Sequence, residues 1–290
     1  MNLPEYVRAK GNHTLAEMLR KNPLTDPYPA LHNHALRELR EYLFCGGMPE
    51  AVAAMTQSGD RAKVRLTHHG ILQAYRQDFH KYAPRIKTDL AEKLFQRAPG
   101  LVGGRFKFTH VDPERTSKEI RPAVEALEKA GVIRLVVHSS SQGLPLVTDT
   151  NSRIAKLLFL DIGLMHASLR IDAQFIQEPS LLSIHRGAVA EQFVGQELLA
   201  TAPPYLEPEL FFWSRETPTS QAEVDYVIAQ GSKALPIEVK SGASGRLKSL
   251  RSFLDSHPNT SRGIRFYEGE PWEEEGRISH LPLYSVASLQ

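Results

Sequence analysis

The stretch from Glu223 to Gly242, EVDYVIAQGSKALPIEVKSG, sets three carboxylates and a lysine on two short apolar runs joined by a Gly-Ser turn. The runs EVDYVIA and ALPIEVK are rich in Val, Ile and Tyr, which predicts two antiparallel strands. With Gly231 and Ser232 as a two-residue loop, counting outward pairs Asp225 with Glu238 and Glu223 with Lys240. The period of 2 along a strand then places all four on one face and turns Ile237 and Val239 the other way, into a core. Two acids directly across a hairpin repel each other. A divalent cation such as Mg²⁺ would compensate them, since hard metals take carboxylate oxygens.

A further acid comes from the segment GAVAEQFVGQELLA, a predicted helix. At 100° per residue Glu191 falls in the middle of the face made by Gly187, Ala188, Val194, Gly195, Leu198 and Leu199, with Gln192, Gln196 and Glu197 outside it. An unpaired buried charge costs several kcal/mol, so Glu191 needs a partner inside. The partner is either a metal shared with the hairpin acids or a buried ion pair with Lys240.

These residues need a frame. The segment AKLLFLDIGLMHASL is followed by the Glu191 helix, the strand PELFFWS, the hairpin, the helix GRLKSLRSFLDSH and the strand GIRFYEG, an α-β-β-β-α-β order. Pro236 removes a ladder donor from the second hairpin strand and suits an edge or a strand start. The order resembles the core of the PD-(D/E)XK nuclease superfamily, and EVDYVI followed by IEVK resembles its D…ExK motif. The resemblance implies that Asp225 and Glu238 bind Mg²⁺ or Mn²⁺ with the Val239 carbonyl, that Glu191 completes the site, and that Lys240 positions or activates the attacking water.

Four regions follow from the pattern. Residues 1–60 are a helical N-terminal segment in which Gly46-Gly47 closes one helix and Pro49 opens the next. Residues 61–87 hold one long helix with His68, His69 and His80; the first two project about 100° apart, which argues against a metal site. Residues 88–150 read as the helices TDLAEKLFQRA and RPAVEALEKAG, the second with Pro122 near its start and Gly131 at its end. The strand pair VIRLVVHSSSQGLPLVTD follows, the layout of a winged helix-turn-helix. Residues 151–290 carry the nuclease-like core, so the fold class is mixed α/β.

The middle of the chain is basic: residues 61–140 hold 16 Lys and Arg against 8 Asp and Glu, while the rest holds 19 against 25. Such a block fits contact with phosphates, with Arg115, Lys118 and Arg121 as candidate nucleic-acid contacts. A lysine-rich solvated surface gives the same count. The single cysteine, Cys45, excludes a disulfide framework and fits a cytoplasmic protein. The opening MNLPEYVRAKGNH has no secretory core, and no apolar run reaches the length of a membrane span.

The motifs LREYLFCGGMPEAV, KLLFLDIGL, GAVAEQFVGQEL, FFWSRE, AEVDYVI and PIEVKSG, in that order, resemble the C-terminal region of a group of prokaryotic AAA+ ATPases. There a P-loop ATPase domain is followed by a winged helix and a PD-(D/E)XK-like domain of unknown function. No G-x-x-x-x-G-K-[ST] run occurs here, so no ATP site is expected. Two functions remain open: a nuclease-like DNA-binding protein, in its strongest form a Mg²⁺-dependent phosphodiesterase, and a non-catalytic module that docks on an ATPase, another protein or a second copy of itself.

Overall fold

A computed structural model describes residues 1–21, 29–79, 88–171, 186–203, 205–217, 220–242, 247–274 and 276–289. The N-terminal part is helical: α1 (Leu3–Ala9), α2 (His13–Lys21), α3 (Pro29–Cys45), α4 (Pro49–Ser58) and α5 (Arg61–Phe79). Then come α6 (Thr88–Leu101), α7 (Phe108–Val111), α8 (Ser117–Lys129), β1 (Ile133–Ser139), β2 (Thr150–Phe159) and α9 (Ile162–Ser168). The remainder is α10 (Arg186–Ala200), β3 (Phe211–Thr217), β4 (Ser220–Gln230), β5 (Lys233–Lys240), α11 (Lys248–Ser256), β6 (Gly263–Tyr267), β7 (Trp272–Glu274) and β8 (Ile278–Pro282). The expected α-β-β-β-α-β order is present as α10-β3-β4-β5-α11-β6.

Among the described residues the eight strands form one mixed sheet in the order β2-β1-β3-β4-β5-β6-β8-β7. Alternation along each strand feeds two cores. Phe212, Tyr226, Ile237, Val239, Ile264 and Phe266 join the main cluster with α10, while Phe211, Trp213, Val224 and Val227 pack against Leu250, Phe253 and Leu254 of α11. Pro236 pairs only toward β4, through Val227; the parallel ladder to β6 starts one residue later at Ile237↔Ile264, so the missing amide lies at the start of the doubly paired stretch.

The N-terminal helices lock onto the sheet through two short motifs. Gly46 has φ +70°, and a Cβ there would lie 2.1 Å from Asp161 Oδ1. Asp161 caps α9 by accepting the Leu164 amide at 3.0 Å and accepts the Gly47 amide at 2.7 Å, so LFCGG and FLDIGL form one joint. Pro49 opens α4, as expected.

Three sequence expectations are corrected. The helix expected from Arg121 starts at Ser117, because Thr116 and Glu119 form a capping box that nucleates it earlier and places Pro122 inside. The second strand of the expected wing lies further on. Leu146–Asp149 is a 3₁₀ turn, and β2 begins at Thr150. The β1–β2 pair is not a free-standing wing either, since β1 runs parallel to β3 at Val137↔Phe211 and His138↔Phe212. Among the three histidines, buried His68 bonds through Nε2 to the Cys45 carbonyl at 2.8 Å, and His80 lies outside the described residues.

Candidate functional site

The hairpin turn is the one counted from the sequence, with Gln230↔Lys233 flanking Gly231-Ser232 and the register held to Tyr226↔Ile237. There the ladder stops. Two steps of β3, Phe211 to Trp213, are matched by three steps of β4, Val227 to Val224, a bulge of one extra residue. The expected face-to-face pairs Asp225/Glu238 and Glu223/Lys240 therefore do not form. Instead the Asp225 carboxylate turns toward β5 and accepts the Val239 amide through Oδ2 at 2.8 Å.

The charge that answers these acids comes from β2. Lys156 is 3% exposed, and its ammonium lies 2.8 Å from Glu191, 3.0 Å from Asp225 Oδ1 and 3.2 Å from Glu223. Sequence reasoning missed this residue. Its signal was a lone lysine in the apolar run AKLLFL, which a strand in the middle of a fold buries only if acids await it. The Glu191 to Lys240 pair is replaced by Glu191 to Lys156. Lys240 instead holds Glu238, at 2.5 Å, and Glu223 is shared between Lys156 and Arg105, the latter at 2.9 Å.

The structure thus brings Glu191, Asp225, Glu238 and Lys240 together, with Lys156, Glu223 and Arg105 added. Burial alone would pull the Lys156 pKa down; Asp225, Glu191 and Glu223 hold it well above the ordinary lysine value. Burial, and then repulsion from Asp225, push Glu191 up to about 8 against the pull of Lys156. The same two causes push Glu238 up to about 7 against Lys240. Glu191 Oε2 sits at ion-pair distance from the ammonium without hydrogen-bond alignment, and Glu238 Oε2 is buried with no hydrogen-bond partner. The four acids face three bases. A single proton held by Glu191 or Glu238 near neutral pH makes the cluster neutral.

The expected surroundings of Glu191 also need correction. Gln192 and Glu197 are buried as well, because α10 is covered on more than one side. Gln192 clamps the Phe159 backbone, accepting its N–H at 2.9 Å and donating to its carbonyl at 2.7 Å. Glu197 accepts the Leu3 amide at 2.9 Å.

As they stand, these residues suit an ammonium better than a metal ion. Both Asp225 oxygens already have partners, and Lys156 fills the space between Asp225 and Glu191. Among the described residues no group of three or more His, Cys, Asp or Glu side chains is arranged to hold a metal. A divalent cation at Asp225 and Glu191 would have to displace a positive charge that is hydrogen-bonded to Asp225.

Of the candidate nucleic-acid contacts, Arg115 and Arg121 line a separate cleft beside α8, and Lys118 is exposed outside it. Arg115 pairs with Glu119 at 3.0 Å, and Arg121 lies over the Phe108 ring at 5.4 Å.

Comparison with known families gives two matches. Residues 36–174 match a domain of unknown function (DUF8612), and residues 186–285 match another (DUF4143). The second is typically found with AAA ATPases. No curated protein and no solved structure matches the chain. The boundary between the two matches does not divide the sheet: β1 and β2 come from the first segment, β3 to β8 from the second. Lys156 therefore belongs to one family segment and the acids that hold it to the other. No helix among the described residues is long and apolar enough to cross a membrane.

Proposed function

We propose that this chain is a non-catalytic module built on a nuclease-like frame, which works by binding and acts alongside an AAA+ ATPase. One observation carries this reading: the Lys156 ammonium sits within 3.2 Å of Glu191, Glu223 and Asp225, in the place where a hydrolytic centre would concentrate its metal. A buried acid cluster already paired with Lys156, Lys240 and Arg105 has little electrostatic need of a further cation. The ATPase association rests on the family matched by residues 186–285 and on the motif order of the whole chain.

The deciding experiment incubates purified protein and its Asp225→Asn variant with supercoiled plasmid in Mg²⁺ or Mn²⁺, with melting curves in parallel. No nicking, no Mn²⁺-dependent rise in Tm and a destabilised metal-free Asp225→Asn protein are expected. Metal-dependent nicking that Asp225→Asn abolishes would overturn the reading.

A second reading, a Mg²⁺-dependent phosphodiesterase, draws support from Glu238, whose Oε2 is buried without a partner beside the part-exposed Lys240. In that reading Asp225, Glu238, the Val239 carbonyl and Glu191 hold the metal once Lys156 has withdrawn, and Lys240 addresses the attacking water. The plasmid experiment separates the two.

A further inference from the structure

Beside the Lys156 cluster but lined by none of its residues, α8, the segment before α7 and the β1–β2 pair border a cleft of about 720 Å³. Phe106 and Phe108 form part of its lining, their rings edge to face with centroids 5.3 Å apart. Lys107, Arg115, Arg121 and Arg153 line the same cleft, against two acids, Glu125 and Glu128. Glu128 is committed to the fold, since it accepts the Leu135 amide at 3.0 Å. Arg121 lies over Phe108, which presents a flat cationic layer backed by an aromatic ring.

We propose that this cleft binds a nucleoside phosphate, either free or as one residue of a single strand, with the base on the aromatic surface and the phosphate among the arginines. The volume is that of a small-ligand site, and apolar lining with a few convergent charges is the composition such sites have. Base stacking on an aromatic or guanidinium plane combined with phosphate neutralisation is how single-stranded nucleic acid is held without sequence readout. An acidic peptide would use the same cations, yet it has no flat ring to match the Phe108 and Arg121 layer. The inference deepens the binding function proposed above by giving it a ligand class. It does not require the Lys156 cluster to be either active or inactive.

Calorimetric titrations in EDTA, where metal-dependent hydrolysis cannot contribute, test it with three probes: ATP, a 5′-phosphorylated oligothymidine and a polyglutamate peptide. Binding of ATP, of the oligothymidine or of both is expected, and the pattern tells free nucleotide from strand. Arg121→Glu and Arg153→Glu, both at exposed positions, should each weaken binding about tenfold or more. Lys118→Glu, on α8 but outside the cleft, should change it less than twofold. Absence of binding by both nucleotide probes overturns the proposal. So does equal loss in Lys118→Glu and Arg121→Glu, which would mark a diffuse basic surface, or polyglutamate binding as tightly as the oligonucleotide.

Discussion

Lys156 is the residue on which the centre turns, because three acids depend on one ammonium. Lys156→Met keeps length and apolar bulk while leaving Glu191 and Asp225 without their ammonium and Glu223 with Arg105 alone. Breaking a buried ion pair from one side costs about 3–5 kcal/mol, so a loss of that size is expected in denaturant unfolding without metal. Adding Glu191→Gln to Lys156→Met should recover part of it, and a double-mutant cycle measures the coupling. Additive effects would show that the two side chains do not share an interaction. The four residues singled out in the sequence do meet in space, because strand alternation and helix spacing are local rules. Lys156 was not legible by those rules. Its role depends on β2 and β4 being brought together across β1 and β3, which no short-range pattern encodes.

At the scale of elements, α10 carries the lesson about what a helical wheel can tell. The wheel assumes one buried face and one wet face, which singles out Glu191 and discards Gln192 and Glu197. In the fold α10 packs against the sheet, and its Glu197 reaches the first turn of α1, so the discarded residues are buried too. Burial pushes the Glu197 carboxyl up to about 8 from an ordinary 4.5, with the Leu3 amide pulling the other way. The folded state therefore keeps a proton that the unfolded chain releases near pH 4.5. This contribution to stability is complete below that pH and is lost as pH rises through about 8. Tm should fall between pH 5 and 8, and Glu197→Gln, which retains an acceptor for Leu3, should flatten the slope. An unchanged slope in Glu197→Gln would assign it to other carboxyls. The joint between α3 and α9 gives a sharper test. Gly46→Ala adds a methyl against the Asp161 carboxylate at φ +70° and should lower Tm by several degrees, whereas Gly59→Ala, at a similar φ of +63° with open space around it, should cost less.

Across the whole molecule, one sheet spans two segments that sequence families separate. The chain order of the elements from α10 to β6 was legible because each is a single apolar run closed by Gly, Ser or Pro, whereas β7 and β8 were not foreseen. The join was not. It consists of two residue pairs between β1 and β3, separated by more than seventy positions and carrying no motif of their own. A shared sheet and a main core drawing on both segments make one cooperative unit. Tryptophan fluorescence and far-ultraviolet circular dichroism should report coincident urea transitions. Two separated midpoints would mean that the segments unfold independently.

The placement of Lys156 opposite its acids also determines what happens when the polypeptide is cut in two. Expressed apart, residues 1–171 would carry an ammonium meant for three carboxylates, and residues 186–290 would carry the carboxylates without it. Each half is then electrically mismatched in what would be its own interior, and each lacks one side of a sheet edge. Co-expressed, the halves have complementary charge and complementary hydrogen-bonding edges at the same seam. They should act as the two parts of a split reporter, silent singly and reassembling only with their true counterpart, and a Lys156→Glu half should fail to complement a wild-type one.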